Sequence, residues 1–455
     1  MKNKQLASKL KWTGAGLAIS ALLILTLTAG KPSTLYVAHE WGTFTSVQGA
    51  DGILLDWHPL ESAQLPGFVY NWSKPGLGRQ PAAVLFPGKG AITAQQRIET
   101  PVIYFYADRD QKVDVSVSFP KGWITEWYPQ ATQIGPSTVP ASPAISKLEN
   151  CAHRAGIPAT VTLSSLFQGA GAKESRAYWR NVQLLTLKQA RDLTHLLPID
   201  ASGSHYFSAR ETDANLLRTS SLEPTNAQSQ VEKFIFYRGV GNFSTPLSVT
   251  MDSSNRVTVM NNDGERLRHL FLIQIENGTG SFVCLDPLDP GKSCNLSLVG
   301  RDAAASLESL SDQLSAKMAQ ALEHEGLYPR EAAAMVHTWR DSWFTEAGVR
   351  VLYVLPRRWT EQTLELRFDP PPSELVRVMV GRAEVLTPAL ERRLADVIAD
   401  AREGHTGACR QLRNELQKLG RFAEPALELA MKGTDFQARQ EAQVLLRSAV
   451  TASNR

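Results

Sequence analysis

The sequence predicts a mainly β protein with helical parts. A β-sandwich-like body spans residues 31–300, a two-helix insertion 301–348, returning strands 349–386 and a helical cap 387–455. Three observations carry that division. Up to about residue 299, short runs of β-branched and aromatic residues are separated by turn signals such as Asn262-Asp263-Gly264 and Asn277-Gly278, the texture of sandwich strands. After Arg301, Leu307, Leu310, Leu314, Met318 and Leu322 recur at three- and four-residue intervals, the spacing of one apolar helix face. From Thr387 helical spacing returns and persists to near the end.

Length and composition set the outer bounds. A chain of 455 residues exceeds one ordinary domain, and two or three are expected. With 43% apolar and 20% charged residues it is neither wholly disordered nor a polytopic membrane protein. A net charge of +3 without a long basic run leaves no electrostatic footprint for nucleic acid.

Residues 1–30 read as a targeting or anchoring segment. Lys2, Lys4, Lys9 and Lys11 precede an uncharged run over residues 12–30, rich in Leu, Ile and Ala at its centre. The charge asymmetry predicts a cytoplasmic amino terminus and export of everything after Lys31. At about 1.5 Å per residue the run nearly spans a hydrocarbon core of about 30 Å. The exit lacks a clear small-x-small cleavage signature, so an uncleaved membrane anchor is expected, with secretion the outcome if it is cut. The bulk of the chain then lies outside the cytoplasm.

The first strand is expected at His39-Glu40-Trp41-Gly42-Thr43-Phe44-Thr45. Alternation sends His39, Trp41, Thr43 and Thr45 to one face and Glu40, Gly42 and Phe44 to the other. Each face mixes an ionisable group with large apolar neighbours. The strand is therefore predicted to be buried on both sides, with partners required for His39 and Glu40. The pair begins like a zinc-protease His-Glu motif, but Thr43 stands where its second His belongs and the residues favour a strand.

Beyond it, residues 53–88 form a Pro- and Gly-rich loop region carrying Trp57, Tyr70 and Trp72. Val102–Tyr106 and the alternating Val113, Val115, Val117 and Phe119 read as a hairpin, and Trp123–Trp127 as a third strand holding Glu126. Strand-like patches follow at 159–164 and 180–187, then a short helix near 187–196. Tyr206–Asp213 concentrates Arg210, Glu211 and Asp213 behind aromatics, and Phe234–Arg238 is a strong strand. Further strands are predicted at 245–251, 255–260, 268–276, 280–285 and 294–299. The second insertion helix starts near Pro329 and carries Met335, Trp339 and Trp343 at four-residue spacing. Strands at Val349–Leu355, Thr363–Phe368 and Leu375–Val380 complete the β part.

Export makes disulfides available. Cys284 and Cys294 enclose a short Pro- and Gly-containing loop and predict a hairpin staple, whereas Cys151 and Cys409 are far apart and read equally well as free thiols.

Familiar catalytic signatures are absent: no G-x-S-x-G, Walker A, G-x-G-x-x-G or H-E-x-x-H. A dispersed acid-base or metal site is left, with His39, Glu40, Glu99 and Glu211 as candidate catalytic groups and Glu126, Arg210 and Arg238 beside them. A carboxylate desolvated by aromatics would have its pKa raised for general-acid work. The competing expectation is a buried brace in which Glu40 pairs with Arg238, Arg210 or Arg382. His337 and Asp341, four apart on a helix, have a spacing compatible with a metal, although surface pairing explains it as well. Trp57, Tyr70 and Trp72 are candidates for stacking on sugar rings of an envelope polymer, against burial as loop residues.

The blocks His39–Thr45, Glu99–Tyr106, Trp123–Pro129, Tyr206–Asp213, Lys233–Gly241, Trp339–Leu355 and Val378–Thr387 are together similar to a family of uncharacterised bacterial envelope proteins. That resemblance implies one fold over most of the exported chain and brings no activity, cofactor or substrate. Residues 409–450, with the turn Leu419–Leu427, resemble HEAT-type helical repeats over about one repeat and part of a second. The expectation is an envelope binding or scaffold protein, with an envelope polymer or another protein as partner. The alternative is a hydrolase, metal-dependent or not, that assembles His39, Glu40, Glu99 and Glu211 in one cleft.

Overall fold

Strand β1, Tyr36–Gln48, is rich in the β-branched and aromatic residues that suit a pleated surface, and it lies in the middle of a ten-stranded sheet. The computed structural model describes residues 36–60, 65–71, 92–135, 161–162, 175–201, 203–220, 229–298, 304–403 and 407–432. Of these described residues, strand makes up 42% and helix 29%.

The other strands of the central sheet, in chain order, are β2 (Tyr70–Asn71), β3 (Gln96–Ala107), β4 (Gly122–Tyr128), β5 (Ile235–Gly241), β6 (Arg268–Glu276), β7 (Thr279–Leu285), β8 (Ala305–Ser306), β9 (Gly348–Val354) and β10 (Glu374–Val385). Across the sheet they run β8-β7-β6-β9-β10-β1-β3-β5-β4-β2. The strands β9 and β10 thus return to its centre, while Glu365–Asp369 between them pairs with Gln111–Phe119 of a second sheet. β10 is the parallel partner of β1, with Trp41 opposite Val378, while β3 runs antiparallel on the other side, with Trp41 opposite Val102.

Central position buries β1 on both faces, as its mixed pattern requires. Ala38 and Phe44 enter a core shared with a six-stranded sheet that includes Gln111–Phe119 and Ser175–Leu184; Val115, Val117 and Trp179 are its contribution. Trp41 faces the opposite way, into a second core closed by helices α2 (Leu307–His324) and α3 (Pro329–Phe344), with Leu314, Met318, Met335 and Trp343. The molecule is therefore layered as sheet, sheet and helix pair. The earlier short helix, α1, spans Leu187–Leu193. A three-stranded sheet, Leu247–Met251, Arg256–Asn261 and Ser293–Ser297, adds Val249, Val257 and Val259 to the first core.

The strand expected at Thr363–Phe368 is found at Glu365–Asp369, preceded by a short helix, α4 (Arg357–Thr363), for whose residues 357–362 no element was predicted. One expectation is corrected. Cys284 and Cys294 are free thiols, because their strands belong to different sheets. Cys284 lies opposite Phe271 and Cys294 opposite Val259, and the intervening loop is held instead by reciprocal backbone hydrogen bonds between Leu267 and Leu288.

After β10 come α5 (Pro388–Arg402), α6 (Ala408–Leu419) and α7 (Ala423–Ala430). Their apolar faces form a third core, with Leu394, Leu412, Leu416 and Leu427 closing over Val47 of β1 and Trp57. The second part of the repeat-like segment, from Gly433, lies outside the described residues, as do the 12–30 segment, Trp72, Cys151 and the side chain of Cys409. No helix among the described residues is long and apolar enough to cross a membrane.

Candidate functional site

Three polar centres grow from β1. On the face toward the six-stranded sheet, Glu40 is fully buried and accepts hydrogen bonds from the Tyr237 hydroxyl (2.6 Å) and the Arg377 Nε (2.6 Å). Its arginine is therefore Arg377 of β10, not Arg210, Arg238 or Arg382. Parallel pairing sets Glu40 opposite Arg377, which makes them neighbours on one face. Burial, reinforced by Glu40, raises the Tyr237 pKa, so the phenol stays a donor.

On the helix face, His39 Nδ1 lies 2.6 Å from Glu331 Oε2, and both side chains are buried. Glu331 is the third residue of α3. The same carboxylate accepts from the Tyr328 backbone N–H (2.9 Å), capping the helix, and from the Tyr106 hydroxyl (2.7 Å). The rings of Tyr328 and Tyr106 enclose the imidazole at 4.5 and 5.4 Å between centroids. His39 thus pins a helix onto the sheet.

The third centre is a charged band across six adjacent strands. Arg350 of β9, Arg382 and Glu384 of β10, Thr45 of β1, Arg97 and Glu99 of β3, Arg238 of β5 and Glu126 of β4 follow one another across the sheet. Glu384 binds Arg350 (2.9 Å) and Arg382 (2.7 Å), and Arg382 reaches Glu346 (2.7 Å). Glu99 accepts from Thr45 (2.5 Å) and from Arg421 (2.9 Å) at the start of α7's approach turn. Arg421 also donates to Ser342 of α3 (2.9 Å), and both Arg382 and Arg421 lie 5.0 Å from the Phe422 ring centroid. Arg238 and Glu126 are cross-strand partners.

The electrostatics oppose general-acid chemistry. Burial works to raise the Glu99 pKa, but Arg421, Arg97 and the Thr45 hydrogen bond outweigh it and hold the carboxyl well below the ordinary range. Glu346 behaves alike: burial raises it, Arg421, Arg382 and Arg350 lower it, and it settles at about 2. Burial pushes Arg97 down to about 10, which still leaves it cationic at neutral pH.

The remaining candidates lie elsewhere. Arg210 makes a two-pronged contact with buried Glu232 (2.9 and 2.6 Å), which also accepts from Tyr206 (2.9 Å). Glu211 and His337 form an exposed pair at 2.9 Å. His337 lines a surface cleft of about 550 Å³ with Ser204, His205, Glu308, Arg340 and Asp341. Trp57 is only 1% exposed and packs on Phe422, and half-buried Tyr70 stacks on Tyr128, so neither presents an open face to a sugar.

His39, Glu40, Glu99 and Glu211 are therefore not brought together. The first two face opposite sides of β1, the third is clamped by arginines and the fourth is on the surface. Glu331, Arg377 and Arg421 are the partners that sequence reading missed. Arg97-x-Glu99 and Arg382-x-Glu384 carried a legible signal, since residues two apart share a face of a strand.

No family model matches this sequence, and no curated protein matches it. Among solved structures the chain is similar to the Fcho1 mu homology domain of Danio rerio with bound Eps15 peptide, at 7% identity and a TM-score of 0.29, covering 79% of this chain and 100% of that one. The yeast delta-COP-I mu-homology domain complexed with a Dsl1 WxWxV peptide follows at 6% identity and a TM-score of 0.23, covering 78% and 98%. Scores this low do not place the chain in their fold.

Proposed function

We propose that this is an exported cell-envelope binding or scaffold protein, anchored through residues 12–30, whose partner is an envelope polymer or protein. One observation carries the non-catalytic reading: each candidate catalytic group is engaged in a separate side-chain pair, His39 with Glu331, Glu40 with Arg377, Glu99 with Arg421 and Glu211 with His337. Such pairs lock elements together and leave no carboxylate among them poised as a base. The α5–α7 cap, which the repeat resemblance marks as HEAT-like, and the cleft beside Arg340 are the contact surfaces of this reading.

The hydrolase alternative has one feature to build on, the Glu211–His337 pair at the rim of the cleft. Both side chains are more than half exposed, and no serine, threonine or cysteine side chain among the described residues hydrogen-bonds to the imidazole. An exposed pair of this kind is ordinary surface electrostatics.

Fractionation with external protease tests export: residues after Lys31 should be cleaved in spheroplasts. Co-sedimentation with isolated cell-wall polymer and cross-linking to envelope proteins test binding, which Arg340→Ala should weaken. Ester or glycan hydrolysis by the purified chain that disappears in Glu211→Gln or Glu99→Gln would sink the scaffold reading.

A further inference from the structure

At the far side of the helix pair, three side chains from two elements meet. His269 Nε2 of β6 lies 3.3 Å from His324 Nδ1 and 3.1 Å from Glu325 Oε1, and the last two atoms are 3.6 Å apart. Hydrogen bonding explains the arrangement poorly. One imidazole N–H has a single hydrogen to share between two acceptors, and 3.6 Å is no hydrogen bond. A tetrahedral ion explains it better, because donors about 2.0–2.1 Å from zinc stand about 3.3–3.4 Å from one another. The three edges scatter around that value.

Two further observations point to a cation. His269 has φ 52°, in the left-handed region that a residue with a side chain seldom adopts, and the β6–β9 register shifts between Arg268 and Phe271. A bulge with a left-handed residue re-aims a side chain at a cost in backbone energy, and such costs gather at functional positions. Secondly, His324 is the last residue of the 18-residue helix α2 and Glu325 its C-cap. The unsatisfied carbonyls at a helix C-terminus favour positive charge.

We propose that His269, His324 and Glu325 form a binding site for a divalent transition metal, zinc by ligand set, with the fourth tetrahedral position open to solvent. Two imidazoles and one carboxylate are a recognised zinc donor set. The His324 side chain is 63% exposed, and His269 and Glu325 are 25% exposed, so an ion and a water both have access. His337 and Asp341, the pair singled out by helical spacing, are not among these ligands.

The test is metal analysis of the purified full chain, stripped with chelator and then dialysed against zinc. A stoichiometric equivalent of zinc is expected, and cobalt in its place should give the visible d–d bands of a low-coordinate site. His324→Ala, at an exposed position, and His269→Gly, which removes the ligand while relieving the left-handed backbone, should each reduce bound metal to background. The exposed control His195→Ala should keep it. Zinc should also raise the unfolding temperature of the native chain and not of the two ligand variants. Absence of stoichiometric zinc from the native chain, or undiminished zinc in both variants, overturns the proposal.

Discussion

At the residue scale, buried ion pairs have a sharp energetic signature. Arg377 and Glu40 are both almost wholly buried, and Tyr237 supplies the carboxylate's second hydrogen bond. Removing one partner leaves an uncompensated charge among apolar side chains, which costs roughly 3–5 kcal/mol, whereas removing both is far milder. Arg377→Met is therefore expected to lower the urea midpoint strongly, and Glu40→Gln together with Arg377→Met to recover much of the loss. A double variant as unstable as the sum of the singles would show that the two residues act independently. The sequence required an arginine for Glu40 because a carboxylate between large apolar groups needs one. It did not say which, since Arg210, Arg238 and Arg382 carry the same group.

At the scale of elements, β10 and its neighbour β9 run side by side with little room. Gly381 lies opposite Phe44, and a Cβ built on it would come within 2.4 Å of the Tyr353 ring on the neighbouring strand β9. Tyr353 is buried. Gly381→Ala should thus destabilise by about 1–3 kcal/mol, as overpacking does, read as a lower thermal midpoint; an unchanged midpoint would mean that the strands part easily. Helix α3 is held at both ends by the sheet beneath it. Glu331 caps its start by accepting from the Tyr328 N–H and is tied to β1 by His39, and at its end Arg350 and Arg382 donate to the backbone carbonyls of Trp343 and Ser342 at 3.0 and 2.7 Å. Guanidinium groups there satisfy the last carbonyls and complement the helix dipole.

At the scale of the whole molecule, the C-terminal helices are tied to the sheet by an apolar core and by Arg421. Arg421→Ala leaves Glu99 buried without its principal partner, a loss of roughly 3 kcal/mol, or over a hundredfold in local protection. Amide exchange over residues 408–430, corrected for intrinsic rates, should accelerate accordingly while the β1 amides stay protected. Acid should act on the same contact. Glu99 and Glu346 have folded-state pKa values below their unfolded ones, so their contribution is fully present above pH about 4.5 and fades as pH falls, through about 2 for Glu346 and lower for Glu99. Docking of α5–α7 is expected to weaken over that window in the native chain and less in Arg421→Ala; equal acid sensitivity would remove the carboxylates from the account. Read by itself, the sequence determined the β-rich body, the two amphipathic helices, the burial of β1 on both faces and the need for partners at His39 and Glu40, because periodicity and desolvation are local properties. Only the tertiary structure decided that the partners are Arg377 and Glu331, 337 and 292 residues away, that the last long strand lies parallel to the first, and that the four candidate catalytic groups stay apart. Pairing over such distances depends on register and on the competition among chemically equivalent side chains, and neither is written in the spacing of any one segment.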